Sequence, residues 1–372
     1  MSKESDKNLT NELVRQHIID IKPYQPIIPL DVLSEEIGIP VNRLIKLDGN
    51  ENPYGCSPRV KRAIADYNAY HIYPDSSHLV MRKLLGQYVG VDSNNIVVGS
   101  GSDELIDLIL RLYLGPGDEV INCVPTFGMY SHCTAVNNGK LVDLLRDAAY
   151  DVDVDAVKSA ISKRTKIIFI ASPNNPTGNV ISVYDVLSLL AFGIVVVVDE
   201  AYYEFYGTTM VPLVREHENL IVLRSFSKWA GLAGLRVGYG VFHDNVIRYL
   251  NKIKPPYNVN VAAQIAVKES LADTGYIRDT IKAIIDERKR LFDKLDEQGI
   301  LKPIPSNANF ILCRAPKGKA KSIKELLESG GIIVRYFDSP PLKDMIRISV
   351  GLPRHTDALI EALQRIGGTS YG

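Results

Sequence analysis

The sequence predicts an α/β protein in which helices cover both faces of a largely parallel sheet. Between about residues 56 and 255, apolar runs rich in β-branched residues alternate with helical stretches. Continuous apolar runs suit parallel strands, which are buried on both faces. The chain of 372 residues is also too long for one small core, so a large domain and a smaller one are expected.

The first part of the chain, residues 1–35, is predicted to form an arm. Residues 1 to about 20 should be frayed or helical. The segment Lys22–Pro29 should be extended, because its prolines lack an N–H donor and push the preceding residues out of helical geometry. Its tyrosine and isoleucines favour docking on another surface, often that of a second subunit, over a floppy leader.

The large domain is predicted to span residues 56–255. Its buried strands are Ile96–Val98, Glu119–Asn122, Lys166–Ile170, Ile194–Val198, Leu220–Leu223 and Val237–Val241. Helices are expected between them, including Asp103–Tyr113, Val183–Leu190 and one from about Ser77 to Tyr88. This alternation of strands and helices describes an α/β sheet covered on both faces.

Residues 36–55 and 256–372 are predicted to form the smaller domain. Two long helical patterns are expected at Ala262–Ala272 and Tyr276–Gln298. Strands and a last helix should follow, at Asn309–Cys313, Ile332–Tyr336, Met345–Val350 and Thr356–Ile366. A few strands with helices packed on them describe an α+β domain.

Composition and charge narrow the classes of function. Hydrophobic residues make up 46% and charged residues 23% of the chain, with zero formal net charge, as in a soluble globular protein. No basic stripe stands out, so nucleic acid is not expected as a partner. No apolar run is long enough for a membrane span, and residues 1–10 are polar. A cytosolic location is therefore expected, with a trimmed organelle transit peptide as the alternative.

The cysteines, at positions 56, 123, 133 and 313, are scattered along the chain. They form no C-x-x-C pair, and no histidine pair flanks them. Neither a disulfide framework nor a metal site is expected from this spacing.

The most informative stretch follows the predicted strand Leu220–Leu223. It contains Ser225, Ser227 and Lys228, then a run of small residues and Arg236. A lysine fixed just past a strand end can hold an aldehyde as a Schiff base, and the hydroxyl and guanidinium groups beside it can bind a phosphate. Pyridoxal 5'-phosphate carries both groups. A surface lysine is the alternative, and polar residues after two other strands argue against it.

A glycine-containing turn joins the first predicted strand of the large domain to a helix. Gly99 and Gly101 let the backbone approach a ligand closely, and the helix N-terminus at Ser102 and Asp103 presents free N–H groups to an anion. A dinucleotide fingerprint would need a third glycine at position 104, where the chain has Glu104. The turn favours a phosphate cradle, with an ordinary strand-to-helix turn as the alternative.

Polar side chains also follow two neighbouring strands. Asp199 ends the apolar run Ile194–Val198, where a carboxylate is costly to desolvate unless it is paired. A protonated pyridine nitrogen would suit it, and a helix N-cap is the alternative. Tyr202, one turn further on, could reach a phenolate oxygen on the same ring. Asn175 lies in the rigid turn Ser172–Gly178, so its amide could point at a ligand.

Segments spread over nearly the whole chain resemble the fold-type I, class I and II pyridoxal-phosphate-dependent aminotransferases. Those that carry the resemblance are Lys22–Tyr24, Leu47–Gly55, Tyr73–Pro74, Gly101–Glu104, Pro125–Tyr130, Ser172–Gly178, Asp199–Tyr202, Ser225–Lys228, Arg236 and Met345–Gly351. The N-terminal segments are most similar to the histidinol-phosphate branch. The resemblance implies a mostly parallel seven-stranded sheet in the large domain, a smaller α+β domain and an N-terminal arm.

The resemblance also implies roles for the candidate residues, with Lys228, Asp199 and Tyr202 as the catalytic ones. Lys228 would carry the cofactor as a Schiff base, and Asp199 would pair with the pyridine nitrogen. Asn175 and Tyr202 would contact the ring oxygen. Phe127 would stack on the ring, where many relatives carry tyrosine. The residues implied to hold the cofactor phosphate are Ser102, Asp103, Ser225, Ser227 and Arg236.

The implied substrate clamp consists of Tyr24, Arg335 and Arg347, with Asn175 beside them. Planar guanidinium groups suit both phosphate and carboxylate, although a surface charge is the alternative for Arg335. Tyr73 would reach the cofactor phosphate of the neighbouring subunit, so the resemblance implies a homodimer. The implied reaction moves the amino group of histidinol phosphate to 2-oxoglutarate in histidine biosynthesis, with the freed lysine amine as proton carrier.

The sequence leaves other activities open. Aromatic-amino-acid aminotransferases and threonine-phosphate decarboxylase share the central motifs, and the sequence separates them poorly. A nicotinamide-dependent oxidoreductase would explain the α/β sheet and the glycine turn, but it has no use for Lys228. A non-catalytic binding protein would keep the pocket without needing a lysine in it.

Overall fold

A seven-stranded sheet and a five-stranded sheet organise residues 9–370, the part of the chain that the computed structural model describes. Residues 1–8 of the predicted arm lie outside the described residues. The strands are β1 (Ile45–Leu47), β2 (Ile96–Gly99), β3 (Glu119–Val124), β4 (Lys140–Leu145), β5 (Thr165–Ala171), β6 (Val195–Asp199), β7 (Leu220–Ser225), β8 (Gly238–Val241), β9 (Lys302–Pro303), β10 (Phe310–Arg314), β11 (Ile332–Tyr336) and β12 (Met345–Ser349).

Helices connect and cover these strands. The α-helices are α1 (Leu9–Leu13), α2 (Gln16–Ile19), α3 (Leu30–Ile37), α4 (Pro58–Ala65), α5 (Leu79–Val89), α6 (Gly101–Tyr113), α7 (Met129–Val136), α8 (Val154–Ala160), α9 (Val183–Leu190), α10 (Asp244–Ile253), α11 (Val261–Ala272), α12 (Thr274–Gln298), α13 (Ala320–Ser329) and α14 (Pro353–Ser370). Short 3₁₀ helices lie at Val41–Arg43, Ser93–Asn95, Tyr203–Phe205, Val211–Arg215 and Ala233–Leu235.

The larger sheet has the strand order β2-β8-β7-β6-β5-β3-β4. Strand β8 runs antiparallel to both of its neighbours, and the other pairs are parallel. The prediction of a mostly parallel seven-stranded sheet is confirmed. Parallel pairing brings the carboxyl ends of β3, β5, β6 and β7 to one edge, which is where ligands bind in open sheets of this kind.

Strand β4 is the one strand of this sheet, as described, that the apolar runs of the sequence do not predict. Its residues are a mixture of exposed and half-buried positions, and none is fully buried. Because β4 lies at the edge of the sheet, it needs no continuous apolar run, and the pattern that identifies central strands does not apply to it. Helix α6 also differs from its prediction, since it begins at Gly101 and not at Asp103.

Helices bury both faces of the larger sheet. In the central strands β5, β6 and β7, successive residues point to opposite faces, with Ile168, Val196 and Val222 on one face and Phe169, Val197 and Leu223 on the other. Each of these side chains stabilises the fold by about 1.5–3 kcal/mol when it is removed from water. With both faces filled, the strand ends are the part of the sheet that remains open to polar groups.

The smaller sheet has the strand order β1-β11-β12-β10-β9. Strand β1 pairs parallel with β11, whereas β12 runs antiparallel to both β11 and β10. The register of β11 and β12 places Arg335 directly opposite Arg347. The boundaries proposed above for the arm and the two domains stay a prediction.

Three further features of residues 9–370 bear on function. Each helix there is too short or too polar to cross a bilayer. No cluster of histidine, cysteine, aspartate and glutamate side chains in that range is arranged to hold a metal ion. Cys56, Cys123, Cys133 and Cys313 are free thiols.

Candidate active site

A cavity of about 770 Å³ opens at the carboxyl ends of β3, β5, β6 and β7. The arm and two strands of the smaller sheet complete its wall. The predicted site residues that line it are Tyr24, Ser102, Asp103, Phe127, Asn175, Asp199, Tyr202, Ser225, Ser227, Lys228, Arg236, Arg335 and Arg347. Candidates chosen from separate parts of the sequence therefore meet at one place, with Tyr73 outside it.

Lys228 follows the end of β7, in a stretch where Phe226 and Trp229 are fully buried and pack on each other. Its Nζ donates a hydrogen bond to the carbonyl oxygen of Gly49 at 3.3 Å. Burial lowers the pKa of Lys228 to about 8, and the positive charge of Arg347 adds to this effect. A large share of the amine is therefore neutral near pH 8, which is the form that attacks a carbonyl carbon.

Asp199 is the last residue of β6 and is 4% exposed. Its Oδ2 accepts a hydrogen bond from Tyr130 Oη at 2.7 Å, and its Oδ1 accepts one from the backbone N–H of Ala201 at 3.0 Å. Burial raises the pKa of Asp199 to about 6 despite these two bonds. Within residues 9–370 no cation pairs with this carboxylate, so the site would stabilise a cationic group on a ligand.

The contact with Ala201 also bears on the N-cap alternative for Asp199. The bond is a local turn of the kind that aspartate side chains make. It occupies one carboxylate oxygen and leaves the carboxylate on the cavity wall. Asp199 therefore shapes the turn and also faces the cavity.

A cluster of anion-binding groups lies at the start of α6 and the end of β7. Ser102 and Asp103 occupy the first turn of α6, and Arg236 forms an ion pair with Asp103 at 2.8 Å. Gly101 has a φ of +79°, and a Cβ there would lie 2.7 Å from the Arg236 guanidinium. A Cβ on Gly238 would lie 2.7 Å from the backbone nitrogen of Ser102. These glycines keep hydroxyl, N–H and guanidinium donors close enough to share one anion.

Glu104, at the position where a dinucleotide fingerprint needs glycine, has a structural task. Its Oε2 accepts hydrogen bonds from the backbone N–H of Ser100 at 2.6 Å and from Asn258 Nδ2 at 2.7 Å. The carboxylate therefore satisfies an N–H group at the start of α6. Glu104 therefore has a structural role at the start of the helix, which differs from the role of a glycine in a dinucleotide fingerprint.

The two arginines of the smaller sheet have different surroundings. Arg347 is 6% exposed, donates to Asn175 Oδ1 at 2.6 Å and also donates to the carbonyl oxygen of Asp48. Burial, with a smaller contribution from the charge of Arg335, lowers the pKa of Arg347 to about 10. Arg335 is half-buried, and no carboxylate in the described part of the chain pairs with it. Two adjacent guanidinium groups in one cavity wall repel each other, and an anion bound between them would offset the cost of burying both charges.

The arm reaches this wall from the side of α7. The Tyr24 ring meets the His132 ring edge-on, with 5.9 Å between the ring centroids. His17 Nε2 lies 3.3 Å from the carbonyl oxygen of Val136. These contacts place Tyr24 and His17 of the arm against α7 of their own chain, and docking on a second subunit stays a prediction.

Tyr73 is the one candidate that does not line the cavity of its own chain. Its side chain is 79% exposed and stacks on Tyr257, with 4.6 Å between the ring centroids. The position agrees with a residue that serves another subunit, and the role itself stays a prediction.

Two residues with no role predicted from the sequence donate side-chain hydrogen bonds to the candidates. Tyr130 donates to Asp199, and Asn50 Nδ2 donates to Tyr202 Oη at 2.9 Å. Tyr130 lies in the first turn of α7, and its ring meets that of Phe127, which precedes the helix, with 5.6 Å between the ring centroids. Asn50 lies within the segment Leu47–Gly55 that carries part of the resemblance, but nothing local to it indicates the tyrosine that it contacts.

These groups together fit a ligand that carries an aldehyde, a basic ring nitrogen and a phosphate. The buried carboxylate of Asp199 has no cation partner among the described residues, and the Lys228 amine has a lowered pKa. The glycine-lined cradle at α6 offers donors to an anion. Arg335 and Arg347 lie opposite each other in the wall of the same cavity, where they would suit a second anion.

Comparisons with known proteins agree with this chemistry. Residues 42–366 match the family model of the class I and II aminotransferases. A histidinol-phosphate aminotransferase from Dehalococcoides mccartyi is 53% identical over 326 residues, which are 88% of this chain and 91% of that protein. The chloroplastic histidinol-phosphate aminotransferase 1 of Arabidopsis thaliana is 44% identical over 367 residues, 97% of this chain and 88% of that protein. Because one relative is named for an organelle, the cytosolic location stays a prediction.

A solved structure of a histidinol-phosphate aminotransferase has the same fold as this chain. The crystal structure of histidinol-phosphate aminotransferase from Sinorhizobium meliloti in complex with pyridoxal-5'-phosphate has a TM-score of 0.87 and 24% sequence identity. The match covers 99% of this chain and 100% of that chain. At this identity the likeness shows the fold, and it confirms the predicted fold class.

Proposed function

Because this chain belongs to the family of class I and II aminotransferases, we propose that it uses pyridoxal 5'-phosphate to move the amino group of L-histidinol phosphate to 2-oxoglutarate in histidine biosynthesis. The names of the relatives that are 53% and 44% identical support this substrate. The observation that carries the proposal is the meeting of Lys228, Asp199 and the Arg335–Arg347 pair in one cavity. Membership of this family argues against the two alternatives from other classes, a nicotinamide-dependent oxidoreductase and a non-catalytic binding protein.

The cofactor would be held by residues of several elements. Lys228 would bind its aldehyde carbon, and Asp199 would keep its ring nitrogen protonated. Phe127 would cover the ring face, while Asn175 and Tyr202 would contact the ring oxygen. The residues that would hold its phosphate are Ser102, Asp103, Ser225, Ser227 and Arg236, with Tyr73 of a second subunit. When bound, the cofactor supplies an electron sink for the bonds of the reacting substrate carbon.

Lys228 would have a second task, as the group that carries a proton between the reacting carbon atoms. An efficient acid–base group has a pKa near the working pH. The pKa of about 8 that burial and the charge of Arg347 give to Lys228 meets this condition. Its contact with the carbonyl oxygen of Gly49 fixes the amine over the cavity when it is free.

The arginine pair would bind the anionic end of each substrate in turn. Histidinol phosphate presents a phosphate where glutamate presents a carboxylate, so one clamp serves both halves of the reaction. A phosphate carries more charge and can accept from several donors at once. Histidinol itself would leave the guanidinium groups without an anion, and it should react poorly for that reason.

The test of the proposal is a comparison of substrates. The protein loaded with pyridoxal 5'-phosphate should transfer an amino group from histidinol phosphate to 2-oxoglutarate, and kcat/KM should be at least about 10²-fold lower for histidinol. Phenylalanine and threonine phosphate, tested in the same assay, separate the related activities. Equal use of histidinol and its phosphate, or a preference for phenylalanine, would overturn the proposal.

The two arginines are predicted to contribute differently to the two halves of the reaction. Arg347→Ala should lower kcat/KM for both histidinol phosphate and glutamate by about 10²-fold or more, because it removes a buried guanidinium that both anions use. Arg335→Ala should lower kcat/KM mainly for histidinol phosphate. Arg314→Ala, an exposed arginine of β10 in the same sheet, is the matched control and should leave both values unchanged. Equal losses of kcat/KM for histidinol phosphate and glutamate in Arg335→Ala would contradict this difference.

We also propose that the active form is a homodimer in which Tyr73 completes the site of the partner subunit. A chain with Lys228→Ala mixed with a chain with Tyr73→Ala should give heterodimers that contain one intact site. Random association would restore about a quarter of the wild-type activity. The control mixes Lys228→Ala with Asp199→Asn, which should restore nothing because both residues line the cavity of one chain. An active monomer in sedimentation, or restoration in the control, would disprove the shared site.

A further inference from the structure

We propose that Asn50 is a positioning residue that directs the hydroxyl hydrogen of Tyr202 into the cavity, toward the ring oxygen of the bound cofactor. This inference rests on the proposed function, because it takes the cavity to hold pyridoxal 5'-phosphate. Asn50 lies between β1 and α4 and is 1% exposed, so its amide depends entirely on protein partners. Tyr202 lines the cavity.

Every polar group of Asn50 has a partner. Its backbone N–H donates to Ser349 Oγ at 2.8 Å, and its backbone carbonyl accepts from Asn309 Nδ2 at 2.8 Å. Its Oδ1 accepts from Ser349 Oγ at 2.9 Å, and its Nδ2 donates to Tyr202 Oη at 2.9 Å. The side chain of Asn50 is therefore fixed at one end by Ser349, the last residue of β12, and contacts Tyr202 with its other end.

These partners determine which way the amide points. Ser349 Oγ accepts the backbone N–H of Asn50, so its own single hydrogen is available for an acceptor. Oδ1 of Asn50 is that acceptor. With Oδ1 facing Ser349, the NH₂ group of Asn50 faces Tyr202, and an NH₂ group can only donate.

The direction of the amide determines the direction of the tyrosine hydroxyl. Tyr202 Oη accepts the hydrogen bond from Asn50, so its own hydrogen must find another acceptor. Within residues 9–370 the hydroxyl of Tyr202 makes no second hydrogen bond. The open side of Tyr202 is the cavity, so the hydrogen points to an acceptor bound there.

The backbone of Asn50 and the charges around Tyr202 support this arrangement. Asn50 has a φ of +53°, a left-handed conformation that asparagine tolerates better than most residues. The charged and titratable groups that face Tyr202 are Arg347 on β12, Asp199 on β6 and Tyr24 on the arm, with Lys228 Nζ 6.0 Å from the ring centroid. None of these donates a hydrogen bond to Oη, so among residues 9–370 it is Asn50 that orients the hydroxyl.

The test is a double-mutant cycle between Asn50→Asp and Tyr202→Phe. An aspartate at position 50 is nearly the same size and tolerates the same backbone geometry, but its carboxylate accepts the Tyr202 hydrogen and turns it away from the cavity. A hydrogen bond from Tyr202 stabilises the deprotonated form of the ring oxygen, so its loss should raise the pH midpoint of the visible absorbance of the bound cofactor. We expect a rise of about one to two pH units in Asn50→Asp.

The Tyr202→Phe background separates the hydroxyl effect from the new charge. In that background Asn50→Asp should raise the midpoint much less, because only the direct effect of the carboxylate remains. Asn50→Gly, which suits a φ of +53° and brings no charge, should give a smaller rise that disappears in Tyr202→Phe. If Asn50→Asp does not fold, the midpoint of Asn50→Gly with and without the Tyr202 hydroxyl provides the test.

The outcomes distinguish the inference from the function on which it rests. Equal rises with and without the Tyr202 hydroxyl would overturn the role of Asn50 and leave the proposed function intact. A wild-type protein that develops no visible absorbance with pyridoxal 5'-phosphate would overturn both. Thermal unfolding of the cofactor-free variants provides a readout of structure, and a purely structural role would change the unfolding temperature without moving the midpoint.

Discussion

Replacing Lys228 with alanine is expected to abolish amino transfer and the covalent attachment of the cofactor. The Lys228 amine contacts the carbonyl oxygen of Gly49 in the cavity wall. The described lining of the cavity contains no second lysine that could replace it. The loss of the proton-carrying group alone should lower turnover by about 10⁴-fold, the upper range for general acid–base catalysis. The measurements are the rate of transfer from histidinol phosphate and, after borohydride treatment, the mass of the labelled peptide.

A second lysine provides the matched control for this experiment. Burial also lowers the pKa of Lys254, but Lys254 does not line the cavity. Lys254→Ala should therefore keep its turnover and its pyridoxyl label on Lys228. A label on another residue of the wild-type protein, or turnover in Lys228→Ala, would show that position in the cavity is not what selects Lys228.

Features with a local sequence signal could be predicted, and Lys228 and Asp199 are examples. Each follows a buried strand, and a charged group at that place is costly unless it has a ligand or partner, so the pattern itself indicates a site. The strand ends of β6 and β7 then bring both residues to one cavity. Parallel pairing within the sheet makes this meeting a consequence of the strand assignments.

Contacts between distant parts of the chain could not be predicted in this way. Tyr130 contacts a carboxylate 69 positions away, and Asn50 contacts a hydroxyl 152 positions away. Whether either residue points into the site depends on helix and loop packing, which no local pattern encodes. The docking of Tyr24 beside His132 is another such contact, because the pattern indicates an apolar arm but does not identify its surface.

Replacing Asp199 with asparagine should leave the protein folded and able to bind the cofactor, but it should lower turnover by about 10³-fold or more, on the scale seen when the charged partner of a catalytic group is lost. In the proposed function the carboxylate of Asp199 keeps the ring nitrogen protonated, and a neutral amide would not do so. The electron sink that the reaction needs is then weakened. Cofactor content, circular dichroism and single-turnover rates would measure the effect.

Tyr130→Phe separates the charge of Asp199 from the hydrogen bond that supports it. The variant keeps the carboxylate and removes one of its two hydrogen bonds, those from Tyr130 and Ala201. Because one hydrogen bond to a charged group is worth about 1.5–3 kcal/mol, the loss in turnover should be no more than about 10²-fold. The pKa of Asp199 should rise in this variant, since the bond from Tyr130 lowers it. Near-normal turnover in a cofactor-loaded Asp199→Asn protein, or an equal loss in both variants, would mean that hydrogen bonding and not charge is the contribution of this site.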